Sequence, residues 1–297
     1  MTTGVSAVER DAGQAPRATD EYADDGVPVI VIDGRSSWRR WFADLYVYRG
    51  ALQSLAWRNV RSRYKQAALG MTWAVVQPVI QVLVFTVLFG RMVKVPSGGV
   101  PYPVFALVGL LAWNLFNKIV SDGAVSLVAN QSIITKLFFP RIYLVLASGA
   151  SALLDAVVTA MLLVILLSVY HIAPTVRLWL ALPVLAGVIL FSFGFAALLA
   201  AINARWRDVQ HTIPFMLQIG LFATPVIYQN SFVPARWRWL MAINPLAGLI
   251  EGFRSAVLGI PISAPWLVQT SLLISALMTI VGVWLFRRSE ATIVDLV

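Results

Sequence analysis

The sequence is poor in charge and lacks cysteine. Only 12% of its 297 residues are charged and 59% are hydrophobic, whereas soluble domains carry about 25% charged residues. The absence of cysteine excludes disulfide bonds and thiol chemistry. The only two histidines, His171 and His211, lie far apart in the sequence, which argues against a histidine-based metal site within one chain.

The chain also lacks a nucleotide-binding loop. A Walker A loop ends in Gly-Lys-Ser/Thr, and here the four lysines follow Tyr64, Val93, Asn117 and Thr135. No Gly-Lys pair therefore exists, and the chain is not expected to bind ATP itself.

Long stretches without any charged residue dominate the remainder. A charge-free stretch of about 18 residues or more is a candidate membrane helix, and we expect six spans between residues 67 and 290, an all-α polytopic fold. The charge-free stretches are Gln66–Gly90, Val95–Asn117, Ile142–Leu154 with its continuation past Asp155 to Tyr170, Leu178–Ala204, Val209–Ala235 and Ser255–Phe286.

The net charge of +9 comes from basic residues that are distributed unequally between the two sides of the predicted membrane domain. With six spans, sixteen basic residues fall on the side of both termini and six on the other. Because basic residues are retained in the cytoplasm, both termini are predicted to be cytoplasmic. This explains the charge without invoking nucleic acid.

Two segments precede the first predicted span. Residues 1–35 are polar and acidic without an apolar core, which indicates a disordered cytoplasmic tail rather than a signal peptide. In residues 36–66, Trp38, Trp41, Phe42 and Leu45 fall on one helical face. This pattern predicts an amphipathic helix lying in the membrane interface.

Two connecting segments have unusual patterns. Between spans two and three, residues 130–141 carry a compact apolar face with Ile133 and Ile134, which suits either a protein partner or a linker tucked into lipid. Residues 228–265 are rich in proline, and only Leu246–Leu258 has a helical pattern, too short to cross. A re-entrant pair of short helices at the outer side is expected there, since irregular backbone at that depth must be buried in protein or line a cavity.

Five motifs in order resemble the permeases of ABC transporters that export O-antigen, teichoic acid, capsule and galactan. The likeness covers roughly Trp38 to Phe286, and five motifs on a matching topology are far more specific than one. The motifs are Trp57-Arg-Asn-Val-Arg-Ser-Arg-Tyr-Lys65 with Gln77-Pro78, Tyr102-Pro103 with Trp113-Asn114, Asn130 to Arg141, Asn203 to Asp208, and Thr224-Pro225 to Tyr228 with Asn244-Pro245, Glu251 and Arg254.

The resemblance implies a transport subunit without catalytic residues or a cofactor of its own. It implies an ABC ATPase as a separate subunit that binds ATP and magnesium, and a second copy of this chain. The expected cargo is a polyprenyl-pyrophosphate-linked polysaccharide, and the expected location is the bacterial cytoplasmic membrane, in contact with its lipids.

Three groups of site residues follow from the resemblance. The first is an entrance for the lipid headgroup, whose basic residues also suit anionic membrane lipid; the second is an ATPase-coupling segment; the third is an outer gate. The entrance comprises Trp57, Arg58, Arg61, Arg63, Tyr64 and Lys65. The coupling segment comprises Asn130, Ile133, Ile134, Lys136, Phe139 and Arg141. The outer gate comprises Thr224, Pro225, Tyr228, Asn244, Pro245, Glu251 and Arg254.

Several charged residues are expected inside the membrane or at its gate. Glu251 and Arg254 are spaced to pair on one helix face, as are Lys118 and Asp122. Asp155 lies mid-span, where an ionisable group is costly, so it either faces a pore or bonds to neighbours such as Ser151 or Thr159.

Three other functions remain open from the residues alone. An ABC exporter could carry a different amphipathic cargo, such as a lipid or a drug. An ion-coupled carrier would favour inverted repeats and several intramembrane acids, which are not evident. A membrane glycan transferase would favour clustered carboxylates or histidines, and these are scattered here.

Overall fold

The computed structural model describes residues 38–65, 72–136, 139–173 and 175–296. The predicted tail at residues 1–35 lies outside these ranges, as do Gln66–Met71 of the first predicted span. The described residues from 43 onward belong to one compact unit. The regular structure of the described residues is helical, with no strand among them.

The helices follow one another with short connections. Their bounds are α1 Trp38–Val47, α2 Arg49–Lys65, α3 Thr72–Phe85 continued by a π-helix Thr86–Met92, α4 Tyr102–Ala129, α5 Gln131–Ile134, α6 Ile142–Ser148, α7 Ala150–Val169, α8 Ala181–Arg205 after a 3-10 turn Leu178–Leu180, α9 Val209–Ala223, α10 Arg238–Ile243, α11 Pro245–Leu258 and α12 Pro265–Leu296.

Five helical segments of the described residues are long and apolar enough to cross a membrane. They are Thr72–Met92, Tyr102–Ala129, Ile142–Val169, Leu178–Arg205 and Pro265–Glu290. The chain is thus a multi-pass membrane protein, while the count of six spans stays a prediction.

The helices differ from the charge-free stretches of the sequence at three places, for identifiable reasons. The second helix begins at Tyr102 rather than Val95, because two glycines with positive φ, Gly98 and Gly99, form the preceding turn. It also continues past Asn117, because Lys118 and Asp122 pair at 2.9 Å and neutralise each other, as their spacing predicts.

The other two differences lie at the predicted gate. Helix α9 ends at Ala223, before the proline-rich residues 228–265, because Thr224 precedes a proline and adopts an extended conformation. Residues Ser255–Leu258 belong to α11, as the helical pattern of Leu246–Leu258 predicts, and Gly259 caps this helix in the left-handed conformation. The last long helix starts at Pro265.

Helices α4, α8 and α12 run parallel to one another. Gly187 of α8 faces Leu272 of α12, and Gly194 faces Thr279, so residue numbers rise together in both helices. Likewise Phe116 of α4 stacks on Phe191, and further along Asn203 donates to the carbonyl of Ala124. Parallel helices joined in sequence require a return segment between each pair.

Between α8 and α12 the return segment begins with α9, which is followed by the non-helical residues 224–229. At one end of α9, the backbone amide of Gln210 donates to Asn203 Oδ1 at 3.1 Å. At the other end, the Tyr102 hydroxyl donates to the Ile227 carbonyl at 2.9 Å. Tyr102 and Ala124 are separated by about 33 Å of helix, of which α9 can cover only about 22 Å. The non-helical residues after α9 supply the rest.

The closest helix contact is between α8 and α12. A methyl group built on Gly194 would lie 2.5 Å from Thr279 Cα, and one built on Gly282 would collide with the Gly194 carbonyl. Small residues let backbones of membrane helices approach in this way, and Thr279 Oγ1 adds a hydrogen bond of 2.8 Å to the Leu190 carbonyl.

We therefore expect Gly282→Ala to destabilise the fold. The clash is with backbone, which cannot swing aside, and overpacking costs about 1–3 kcal/mol or more. The measurement is the thermal unfolding temperature of the purified protein in detergent. Gly50→Ala is the matched control, because a methyl group there meets nothing within 4 Å; equal unfolding temperatures for the two variants would contradict the prediction.

Candidate functional site

The non-helical segment Thr224–Tyr228 has its carbonyl groups bound by side chains of other helices. Arg254 of α11 donates from Nη1 to the carbonyls of Pro225 at 2.7 Å and Tyr228 at 3.1 Å, and from Nη2 to that of Val226. Tyr102 of α4 donates to the carbonyl of Ile227. Four successive carbonyls that no helix satisfies are thereby paired, as a membrane interior requires.

Arg254 is buried, with 4% of its surface exposed. Its guanidinium carbon lies 3.8 Å from the centre of the Phe105 ring, a cation–π contact. Gly109 of α4 lies directly against Nη2, and a methyl group at Gly109 would occupy the position of the guanidinium. Sequence reasoning selected Arg254 but missed Tyr102, Phe105 and Gly109 as the residues that surround it.

Glu251 and Arg254 do not form the ion pair that their spacing predicts. Instead, Glu251 accepts hydrogen bonds from the Asn230 side chain and, at 2.6 Å, from the backbone amide of Ser263. The two charges on α11 thus hold two different loops. The prediction was wrong because both side chains reach partners outside their own helix.

Asn244 joins the start of α11 to the end of α9. Its side-chain oxygen caps α11 by accepting from the Leu246 amide at 3.1 Å, and Pro245 follows in the first turn. Its Nδ2 donates to Thr224 Oγ1 at 2.7 Å. The Tyr228 hydroxyl donates to the Phe222 carbonyl at 3.2 Å.

All seven residues of the predicted gate therefore lie in one connected region. The chain reverses its direction here, and the seven residues lie on both sides of this turn, at the end of α9 and in or next to α11. The region lies beside the N-terminal half of α4, which we call the Tyr102 end.

At the opposite end of α4, here the Asn130 end, two predicted entrance arginines contact the helix bundle. Arg58 donates to Asn130 Oδ1 at 2.6 Å, and Arg63 pairs with Asp155 of α7 at 2.9 Å. Arg61 is exposed and makes no contact of this kind with the described residues, and Trp57 is 66% exposed. The side chains of Tyr64 and Lys65 lie outside the described set.

Asp155 was expected to bond to Ser151 or Thr159. Its carboxylate pairs with Arg63 instead, and the Thr159 hydroxyl donates to the backbone carbonyl of Asp155 at 2.8 Å. The mid-span acid is thus matched by a cation from α2, a contact between residues that sequence spacing does not connect.

The predicted coupling segment is held on both sides. On one side, Asn130 accepts from Arg58 and its Nδ2 donates to the Ser126 carbonyl at 2.8 Å. On the other, the backbone amide of Arg141 donates to Glu290 Oε1 at 2.9 Å, and its side chain to the Glu290 carbonyl. Glu290 had no signal in the sequence that could have identified it.

Between these two attachments the segment includes a short helix, α5. Ile133 and Ile134 are half-buried, Lys136 is exposed and Phe139 is buried. The described residues hold no cluster of three side chains suited to a metal ion.

Comparison with known proteins gives a consistent assignment. Residues 50–258 match the family described as ABC-2 type transporter. The O-antigen export system permease protein RfbA of Myxococcus xanthus is 31% identical over 73% of this chain and 83% of its own length. RfbA of Klebsiella pneumoniae is 25% identical over 78% and 88%, and the polysialic acid transport protein KpsM of Escherichia coli is 22% identical over 82% and 95%.

We expect Arg254→Met to lower the thermal unfolding temperature and to abolish function. Methionine keeps the apolar bulk but leaves three buried carbonyls without donors, at about 1–3 kcal/mol each. The measurement is thermal unfolding in detergent, followed by transport in cells. Arg236→Met is the matched control, because Arg236 is exposed and stacks on Trp237. If both variants unfolded at the wild-type temperature, the guanidinium would not be holding the segment.

Proposed function

We propose that this chain, which belongs to the ABC-2 type transporter family, is the membrane-spanning subunit of an exporter for a polyprenyl-pyrophosphate-linked polysaccharide. The main support is its similarity to O-antigen export permeases over most of the length of both proteins. The chain itself has a transport role rather than an enzymatic one.

The energy for transport is proposed to come from a separate ATPase subunit, which binds ATP and magnesium. The chain has no Gly-Lys pair and hence no Walker A loop. Residues 130–141 would receive the ATPase movement. Their two attachments support this role, because Arg58 connects the segment to α2 and Glu290 connects it to α12. A displacement of the segment would therefore move both helices.

The Asn130 end is proposed to face the cytoplasm, together with both termini, and the Tyr102 end to form the outer gate. The gate would open where α9, α11 and the non-helical segment Thr224–Tyr228 meet. A second copy of the chain would complete the permease in the cytoplasmic membrane.

The headgroup entrance is proposed to lie on the exposed face of α2. Arg58 and Arg63 already have protein partners, so we assign the phosphate contact to Arg61 beside the exposed Trp57. An arginine fork fits phosphate oxygens well.

The first test is purification of the chain from native membranes. We expect an equal amount of a Walker-A-bearing subunit to copurify, and its ATPase activity to rise with lipid-linked glycan. A cysteine at Lys136 should crosslink to that subunit, because Lys136 is exposed on the coupling segment.

Ser97→Cys is the control for crosslinking, since Ser97 lies just before α4 at the Tyr102 end. A chain that purifies alone would contradict the ABC assignment. A partner ATPase stimulated only by drugs or simple lipids would contradict the polysaccharide cargo.

Neutralising Arg61 tests the entrance. We expect Arg61→Gln to weaken cargo affinity roughly fivefold, because one basic charge near an anionic group contributes about 1 kcal/mol. The measurement is the lipid-linked glycan concentration that half-stimulates the ATPase. Arg49→Gln on the same helix is the control, since Arg49 stacks on Tyr46; equal effects of both changes would indicate only a general surface charge.

A further inference from the structure

A polar cavity of about 230 Å³ lies among α3, α4 and α7, with Arg63 of α2 in its wall. It belongs neither to the gate nor to the coupling segment. Most of its lining residues are polar, which is unusual for a cavity among membrane-spanning helices. These include Gln77, Gln81, Asn114, Asn117, Lys118 and Asp155.

The charges of the cavity are matched within the protein. Arg63 pairs with Asp155, and Lys118 pairs with Asp122, each at 2.9 Å. Together with Asp122, which pairs with the lining residue Lys118 from outside the cavity wall, two cations and two anions leave no net charge. The cavity is therefore poorly suited to a diphosphate, which requires unmatched positive charge.

The neutral groups of the cavity are only partly matched. Asn114 Nδ2 donates to Gln81 Oε1 at 2.7 Å. The side chains of Gln77 and Asn117 form no hydrogen bond with other described residues, although both line the cavity. Gln77 is exposed and Asn117 is half-buried. An amide facing hydrocarbon without a partner costs several kcal/mol, so these groups need water, a polar ligand or another protein chain as a partner.

We propose that this cavity binds a single sugar ring of the cargo through neutral hydrogen bonds. Amides present both donors and acceptors, which is what adjacent hydroxyl groups require. The volume is below the roughly 300–1,000 Å³ of pockets for drug-sized ligands, so it suits one ring rather than a chain of several. The inference rests on the proposed function, and it assigns the sugar to this cavity and the phosphate to α2.

The absence of cysteine from the chain makes a direct test possible. Ser121→Cys is nearly isosteric, and Ser121 lines the cavity; Ala156→Cys gives a second position in the cavity wall and removes no amide. Each variant is expressed with its ATPase, in cells that make the glycan and in cells whose glycan synthesis is blocked at the first sugar. The rate of modification by N-ethylmaleimide is then compared in isolated membranes.

We expect both cysteines to react in glycan-free membranes and to be protected in glycan-containing membranes. Cargo at about ten times its dissociation constant would slow the reaction roughly tenfold. Ser97→Cys, outside the cavity, should react at the same rate in both. Glycan export by each cysteine variant shows that it has folded.

Two results would overturn the proposal. Equal reaction in both membranes would mean that the cavity holds water only, and no reaction in either would mean that protein, such as a second copy, covers it. Deletion of the chain provides the separate check on the exporter itself. If deletion traps the glycan inside the cell while the cysteines stay unprotected, only the cavity assignment fails; if deletion leaves export intact, the proposed function fails with it.

Discussion

The structure depends on how the backbone carbonyls after the end of α9 at Ala223 find hydrogen-bond donors. A return segment must cover the length of α4, yet α9 is too short and the chain becomes extended at Thr224. Extended backbone in an apolar environment needs partners for its carbonyls. Arg254 and Tyr102 provide them, and Gly109 leaves the space in which the guanidinium fits. The position of α11, and with it the reversal before α12, follows from this contact.

Arginine has a similar role at the opposite end of the bundle. Arg58 holds the start of the coupling segment, Arg141 holds its end against α12, and Arg63 neutralises the acid of α7. Each contact joins helices that are distant in the chain. The two proposed moving parts, the coupling segment and the gate, are therefore attached to the long helices through polar side chains, whereas α8 and α12 pack through glycines. Polar side chains can exchange one hydrogen-bond partner for another during a movement, whereas the close backbone packing of α8 and α12 would stay in place.

The separation of charge within the protein gives the proposed division of cargo recognition its physical basis. Arg61 of α2 is exposed and makes no hydrogen bond or ion pair with the described residues, so it is the residue proposed to bind the phosphate. The cavity among α3, α4 and α7 has matched charges and unmatched amides, which suits hydroxyl groups. A cargo with a charged lipid end and a neutral sugar end presents both chemistries.

The sequence by itself determined the all-helical membrane class, because charge-free stretches of span length depend only on composition along the chain. From the lack of a Gly-Lys pair it predicts that nucleotide binds to another subunit. It also determined that Lys118 and Asp122 pair, because residues four apart lie about one helical turn from each other. Only the tertiary structure decided the partners of the other charges. Arg58 meets Asn130 over 72 positions and Arg141 meets Glu290 over 149, and Arg254 turns away from Glu251. Such partners depend on which helices pack together, and local spacing carries no information about that packing.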